Sequence, residues 1–121
     1  MSRAVVYKQW GKSTAIDLHD CDLKKISDPE VIKEFFPKII AEIDMMAHGP
    51  VHLDRFGQGN LEGYSAMQFI ETSSITVHCD EPGRRCFIDI FSCKDFDERA
   101  AERFSKRYFD SKKSKATTLV R

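Results

Sequence analysis

The stretch Glu71–Cys93 (ETSSITVHCDEPGRRCFIDIFSC) constrains the fold more than any other part of the chain. Two runs, Thr72–Cys79 and Cys86–Cys93, are rich in β-branched and aromatic residues and flank Pro82-Gly83. Proline presets φ at the first central position of a turn, and glycine tolerates whatever the second requires. The pattern predicts a β-hairpin. With Pro82 and Gly83 at its centre, Glu81 faces Arg84, His78 faces Phe87 and Cys93 faces Thr72. Facing residues share a side of a sheet, as do alternate residues along one strand. Thr72, His78 and Cys93 are therefore expected on one surface, with Cys93 beside the Thr72–Ser73 bond. A slip of one residue would undo this arrangement.

The rest of the chain reads as support. Ala4–Tyr7 is a short apolar run that predicts a strand, and Gly11-Lys12-Ser13 reads as a turn. Those three residues mimic the end of a phosphate loop, but Val6 stands where that loop needs its first glycine. Thr14–His19 predicts a second strand, closed by Asp20-Cys21-Asp22. Asp28-Pro29-Glu30 is a helix start: a capping carboxylate, a proline suited to the first position, and an acid at the positive end of the dipole. Val31, Ile32, Phe35, Phe36, Ile39, Ile40 and Ile43 then recur at helical spacing. Pro37 is expected to kink or restart this helix. Met45 and Met46 read as packing residues, Ala47–Pro50 as the helix end, and His48 as a solvated residue there. Val51–Phe56 and Tyr64–Ile70 predict strands on either side of the glycine-rich Gly57–Gly63. Phe96, Ala100, Ala101, Phe104 and Tyr108 mark one face of a second helix. Lys115–Val120 predicts a last strand. The expected fold is an α+β two-layer sandwich: a mostly antiparallel sheet with two helices on one face. Its order is β-β-α-β-β-β-β-α-β, in a single domain spanning 1–121. The other face of the sheet also needs cover, which a second copy could supply.

Charge narrows the partners. Lys and Arg total 19 and Asp and Glu total 19, so the chain is formally neutral. This argues against general electrostatic binding of nucleic acid. The basic bias from Arg103 to Arg121 reads as a solvated end. No stretch has the apolar length of a membrane span, and the N-terminal residues lack a signal-peptide core. A cytoplasmic protein is expected, with Cys21, Cys79, Cys86 and Cys93 as free thiols, ligands or catalytic groups.

For the hairpin residues, three readings stand side by side. His78 and Cys93 can be ordinary packed residues. A metal could use His78, Cys79, Cys86 and Cys93, but His78 and Cys79 point to opposite faces and no CxxC pair exists, so no metal is expected. A Ser/His/Cys catalytic group is the third.

At these residues the sequence resembles the prokaryotic S-adenosylmethionine decarboxylase proenzyme family, the short pyruvoyl-dependent form, from about Ala15 to the C-terminus. Gly63-Tyr64-Ser65 matches the family's Gly-x-Ser strand start, Ser73 its self-cleaving serine, and His78 the histidine that follows. Cys93 closes the acidic-apolar strand Ile88–Cys93 as the family's cysteine does. The spacing from Ser65 to Cys93 is kept without gaps. The resemblance implies self-cleavage between Thr72 and Ser73, with attack by the Ser73 hydroxyl on the Thr72 carbonyl. His78 and Ser65 would assist this processing. The new N-terminus would become a pyruvoyl group that forms a Schiff base with a substrate amine and accepts electrons as carbon dioxide leaves. Cys93 would return the proton. The implied product supplies aminopropyl groups for spermidine, and the implied assembly is a homodimer of cleaved protomers acting on a small molecule.

The chain departs from the family pattern at two places. Thr72 stands where the family usually has Glu, and Cys79-Asp80-Glu81-Pro82 replaces Thr-Trp-Pro-Glu. An adenine-stacking aromatic is thus replaced by Asp80. Phe56 matches another pocket aromatic if Gly57–Gly63 holds a short insertion. Asp80 and Glu81 near a pocket could instead hold the cationic end of arginine or ornithine, which makes a pyruvoyl-dependent decarboxylase of those amino acids the alternative. A non-processing, non-catalytic homologue acting as a binding or regulatory subunit is the third possibility.

Overall fold

A computed structural model describes residues 8–121, so the strand expected at Ala4–Tyr7 lies outside the described residues. The strands are β1 (Lys12–His19), β2 (Ala47–Phe56), β3 (Gly63–Ile70), β4 (Ser73–Asp80), β5 (Arg85–Ser92) and β6 (Lys113–Val120). The helices are α1 (Leu23–Ile26), α2 (Pro29–Glu42) and α3 (Glu98–Tyr108). All six strands form one antiparallel sheet in the order β2-β3-β4-β5-β1-β6. This is the expected α+β architecture.

Alternation sorts the sheet into two faces. Ile16, Leu18, Ile75, Val77, Ile88 and Ile90 are buried beneath α2 and α3. Phe35 of α2 meets Phe104, Tyr108 and Phe109 at centroid separations of 6.0, 5.3 and 5.1 Å and so joins the two helices. Each such aromatic pair adds about 0.5–1.5 kcal/mol beyond its buried area. The opposite face carries His52, Asp54, Met67, Phe69, Thr76, His78, Phe87, Asp89 and Phe91, all exposed or half-buried. Among the described residues no helix packs on it.

Local chemistry sets the helix starts. The Asp28 carboxylate accepts from the Glu30 and Val31 amides with Pro29 first in α2, and Asp97 caps Arg99 and Ala100 of α3 in the same way. The hairpin register is the expected one: His78 opposes Phe87, Asp80 opposes Arg85, and the Arg84 amide bonds the Glu81 carbonyl across Pro82-Gly83.

Several local expectations fail for identifiable reasons. Lys12 and Ser13 are not a turn but the start of β1, because both ladders continue there, pairing Lys12 with Ser92 and with Val120. Pro37 sits inside a helix that runs from Pro29 to Glu42 without interruption, held by its buried face. Ala47–Pro50 does not merely end a helix; it opens β2. Gly49 (φ +79°) and Pro50 fall where the β2–β3 register shifts, between His48 and His52, and an edge strand tolerates both. Met45 packs against the core as expected, but Met46 is 65% exposed. The short α1, capped by Asp22, was not expected at all.

Candidate active site

β3 and β4 are joined by Glu71 and Thr72 alone, since Ile70 already pairs with Ser73. So short a loop demands unusual backbone angles, and Thr72 takes φ +55°. For a β-branched residue this conformation is strained, with a cost of about 1–3 kcal/mol. The next peptide bond is Thr72–Ser73. The Ser73 hydroxyl donates to the Thr72 carbonyl oxygen at 2.5 Å, and its oxygen accepts from the Cys93 amide at 3.0 Å. The Ser73 hydroxyl therefore lies against the Thr72 carbonyl. The Cys93 thiol, just beyond β5, is 2.6 Å from the Thr72 hydroxyl oxygen. Thr72, Ser73 and Cys93 thus come together, as the hairpin register implied. With Glu71, Phe69 and His48, Thr72 and Ser73 line a depression of about 810 Å³. His48 is exposed as expected, but it stands on β2 at this depression rather than at a helix end.

Ser65 and His78 form a second group. They oppose each other on β3 and β4 and share a 2.8 Å hydrogen bond through His78 Nδ1. Phe56, 57% exposed, lines with them a separate depression of about 580 Å³ that also includes His52, Asp54 and Thr76. Ser73 and His78 lie five positions apart on one strand, which at roughly 3.3 Å per residue is about 17 Å. Within one protomer the two groups share a sheet but do not meet.

Asp80 and Glu81 are already engaged. Asp80 pairs with Arg85 at 2.6 Å, and Glu81 binds Arg55, which also holds Glu62 at 2.7 Å and lies over the Tyr64 ring. Hydrogen bonds donated to Glu81 and Glu62 keep the Arg55 guanidinium charged more firmly than usual. Neither carboxylate stands open for a substrate cation.

The other thiols differ from Cys93. Burial pushes Cys21 up to about 12, and a hydrogen bond with the opposing Cys79, then burial, raises Cys86. Cys93 alone among the described cysteines is half-exposed. Two residues that support it carried no chemical signal in the sequence. Gly11 packs so closely on Ser92 and Cys93 that a Cβ there would collide with the Ser92 carbonyl and the Cys93 Cα. Lys12, 8% exposed, reaches the Phe96 carbonyl at 2.5 Å, Glu98 at 2.6 Å and Asp95 at 2.8 Å, which fixes the segment after the thiol.

The model of the family described as S-adenosylmethionine decarboxylase matches residues 12–121. The chain belongs to this family. Among curated relatives, the S-adenosylmethionine decarboxylase proenzyme of Clostridium botulinum strain Langeland is 28% identical over 115 residues, covering 94% of this chain and 96% of that one. The proenzyme of strain Loch Maree is 27% identical over the same shares. Among solved structures, the adenosylmethionine decarboxylase of Aquifex aeolicus VF5 superposes with a TM-score of 0.79 at 19% identity, over 95% of this chain and 92% of that one, and so shares its fold. The family match takes in Phe56, Ser65, Thr72, Ser73, His78 and Cys93. Among the described residues no helix is long and apolar enough to cross a membrane.

Proposed function

We propose that the chain is a cytoplasmic proenzyme that cuts itself between Thr72 and Ser73 and then decarboxylates S-adenosylmethionine. The observation that carries this reading is the Ser73 hydroxyl, 2.5 Å from the carbonyl oxygen of the strained Thr72 and backed by the Cys93 amide. The hydroxyl oxygen adds to the Thr72 carbonyl carbon, the C–N bond breaks, and an ester joins the two residues. Loss of the Ser73 α-proton then expels Thr72 as a carboxylate, leaving chains 1–72 and 73–121. Water replaces the nitrogen of residue 73, which departs as ammonia, and a pyruvoyl group remains.

The surroundings of residue 73 fit such a group: a hydroxyl precursor, an amide donor already aimed at it, and a half-exposed thiol beside it. A pyruvoyl carbonyl supplies an electron sink for loss of carbon dioxide from an amino acid. Cys93, whose backbone amide donates to the Ser73 hydroxyl at 3.0 Å, would return a proton from its thiol to the substrate carbon. Ser65 orients the His78 ring through Nδ1 and leaves Nε2 free to move a proton during processing.

The separation of about 17 Å along β4 gives the assembly a role. In our reading two copies pack their open sheet faces as a homodimer, and each offers its Ser65–His78 pair to the other's Ser73. The self-complementary contact of a twofold dimer does this twice. The exposed Phe69 and half-buried Phe87 and Phe91 give that face its apolar cover. Phe56, beside His78, then serves the substrate. The engaged state of Asp80 and Glu81 weighs against arginine or ornithine.

Intact mass under denaturing conditions tests the cut. Two fragments divided at Thr72–Ser73 are expected, the second blocked by pyruvoyl, and Ser73→Ala should remain whole. A wild-type chain that stays whole after long incubation overturns the reading in favour of a non-catalytic homologue. Carbon dioxide release from S-adenosylmethionine, arginine and ornithine then separates the substrates. Co-expression of Ser73→Ala with His78→Ala tests the assembly. If His78 serves the partner, the His78→Ala chain is cut in the mixed dimer but not alone.

A further inference from the structure

We infer that Thr72 is a latch on Cys93 in the uncut chain, an inference that rests on the processing reading above. A threonine hydroxyl has one proton to give and two lone pairs to receive. The Thr72 hydroxyl lies 2.8 Å from the Glu71 carbonyl oxygen, which can only accept, so the O–H points there. Its lone pairs are left for Cys93 Sγ at 2.6 Å, and the thiol is the donor in that contact. While the chain is whole, the Cys93 proton is committed to residue 72.

The latch has little slack. Thr72 sits in a loop closed on both sides by the Ile70–Ser73 pair, and its positive φ fixes where the side chain emerges. Cys93 is held from the other side by its amide, which donates to the Ser73 hydroxyl. Residues 72 and 73 thus hold Cys93 between them, and the cut falls between these two. Afterwards residue 73 stays beside Cys93 on β4, whereas Thr72 becomes a chain end that no turn constrains. The acceptor swings away and the thiol proton turns toward residue 73. Cleavage and release of the proton donor are then one event. Thr72 is a positioning residue: it acts through Cys93 and touches no substrate.

The test reads the thiol rather than turnover. Cys21, Cys79 and Cys86 are at most 8% exposed, so iodoacetamide on the folded protein reports Cys93, with the site located by peptide mass. The Thr72 variants are all compared in the uncut Ser73→Ala chain, so loss of the Ser73 hydroxyl under the Cys93 amide is common to them. Adding Thr72→Val removes the acceptor but keeps the branched shape, and alkylation is expected to quicken about fivefold, the equivalent of one net hydrogen bond. Adding Thr72→Ser keeps the acceptor and should leave the rate low. Cleaved wild-type protein should react at least as fast as the Thr72→Val chain. Equal rates for Ser73→Ala with and without Thr72→Val overturn the latch, as does a Thr72→Ser chain as fast as Thr72→Val. If Thr72→Val does not fold, Thr72→Ala makes the same comparison. A wild-type chain that never cuts sinks the processing reading by mass alone. The alkylation rates judge the latch separately, because the Ser73→Ala chains need no cleavage.

Discussion

At one end of β4 the chain reverses through Glu81-Pro82-Gly83-Arg84; at the other it reverses through Glu71-Thr72 alone. The first turn has the residues that turns prefer, a 3.1 Å bond from the Arg84 amide to the Glu81 carbonyl, and an Asp80–Arg85 ion pair at its base. Its positive φ falls on Arg84, an unbranched residue. The second turn contains neither glycine, proline nor asparagine and puts a β-branched threonine at φ +55°. Reversing a hairpin does not require that choice. One turn spends its chemistry on folding; the other stores strain next to a hydroxyl and a thiol. A local rule broken without a folding gain, beside a hydroxyl and a thiol, is the ground for proposing chemistry there.

The largest effect that could break this comparison is at Cys93. Cys93→Ala should still yield fragments 1–72 and 73–121, because Ser73 and the Thr72 carbonyl are untouched. Loss of a positioned proton donor should then lower kcat about 10²- to 10⁴-fold. Single-turnover decarboxylation alongside intact mass separates the two steps. A variant that cleaves and turns over normally places the proton donor elsewhere.

Paired glycine substitutions sharpen the contrast between the turns. In the uncut Ser73→Ala chain, Thr72→Gly should stabilise the fold by about 1 kcal/mol, since glycine accepts positive φ without penalty. Arg84→Gly should gain less, because a residue without a branched Cβ is less strained at positive φ, while the unfolded-state entropy that glycine adds is common to both. Urea unfolding measures both. With Ser73 intact, Thr72→Gly should slow cleavage about fivefold, as strain of about 1 kcal/mol is lost from the reactant, while Arg84→Gly leaves it unchanged. Equal slowing by both would mean that the turns do not differ in function.

The sequence made the rule-abiding parts legible. Asp28-Pro29, the alternation of β4 and β5, and Pro82-Gly83 each state their structure locally, and the hairpin register alone puts Cys93 beside residue 72. What it hid depends on distant partners. Lys12 reads as a turn residue because nothing near it announces Asp95, Glu98 and the Phe96 carbonyl. Gly49-Pro50 reads as a stop because its bulge on an edge strand is defined by β3. The strain at Thr72 is visible only once Ile70 and Ser73 are seen to pair. Strand arithmetic alone could have separated Ser73 from His78. Five positions along a strand are too far for one protomer's groups to meet, and that spacing was already in the sequence.

Lys12 offers the smallest effect and ties the fold to the thiol. Burial would lower its ammonium pKa, but the hydrogen bonds it donates to Asp95 and Glu98, with their charge, outweigh this and raise it above the usual 10.5. The same bonds hold both carboxyls below their usual values of 3.8 and 4.5. A raised amine favours the folded state below 10.5, and this is lost as pH rises through its folded value. Lowered carboxyls favour the folded state above their usual values, and this is lost as pH falls through their folded values. The Tm gap between wild type and Lys12→Met should therefore be widest near neutral pH and shrink at both extremes. Asp95 is exposed, so solvent screening limits the gap to a few degrees. Melting curves from about pH 3 to about pH 11 would show the plateau. A gap that does not change with pH would mean that Lys12 holds the segment after Cys93 by the packing of its stem rather than by the charge of its amine, which lies 4.6 Å from the Phe96 ring centre. In that case Lys12→Met, which keeps an apolar stem, should leave Cys93 alkylation unchanged. If charge is what holds the segment, the same variant should loosen the thiol at neutral pH and speed its reaction.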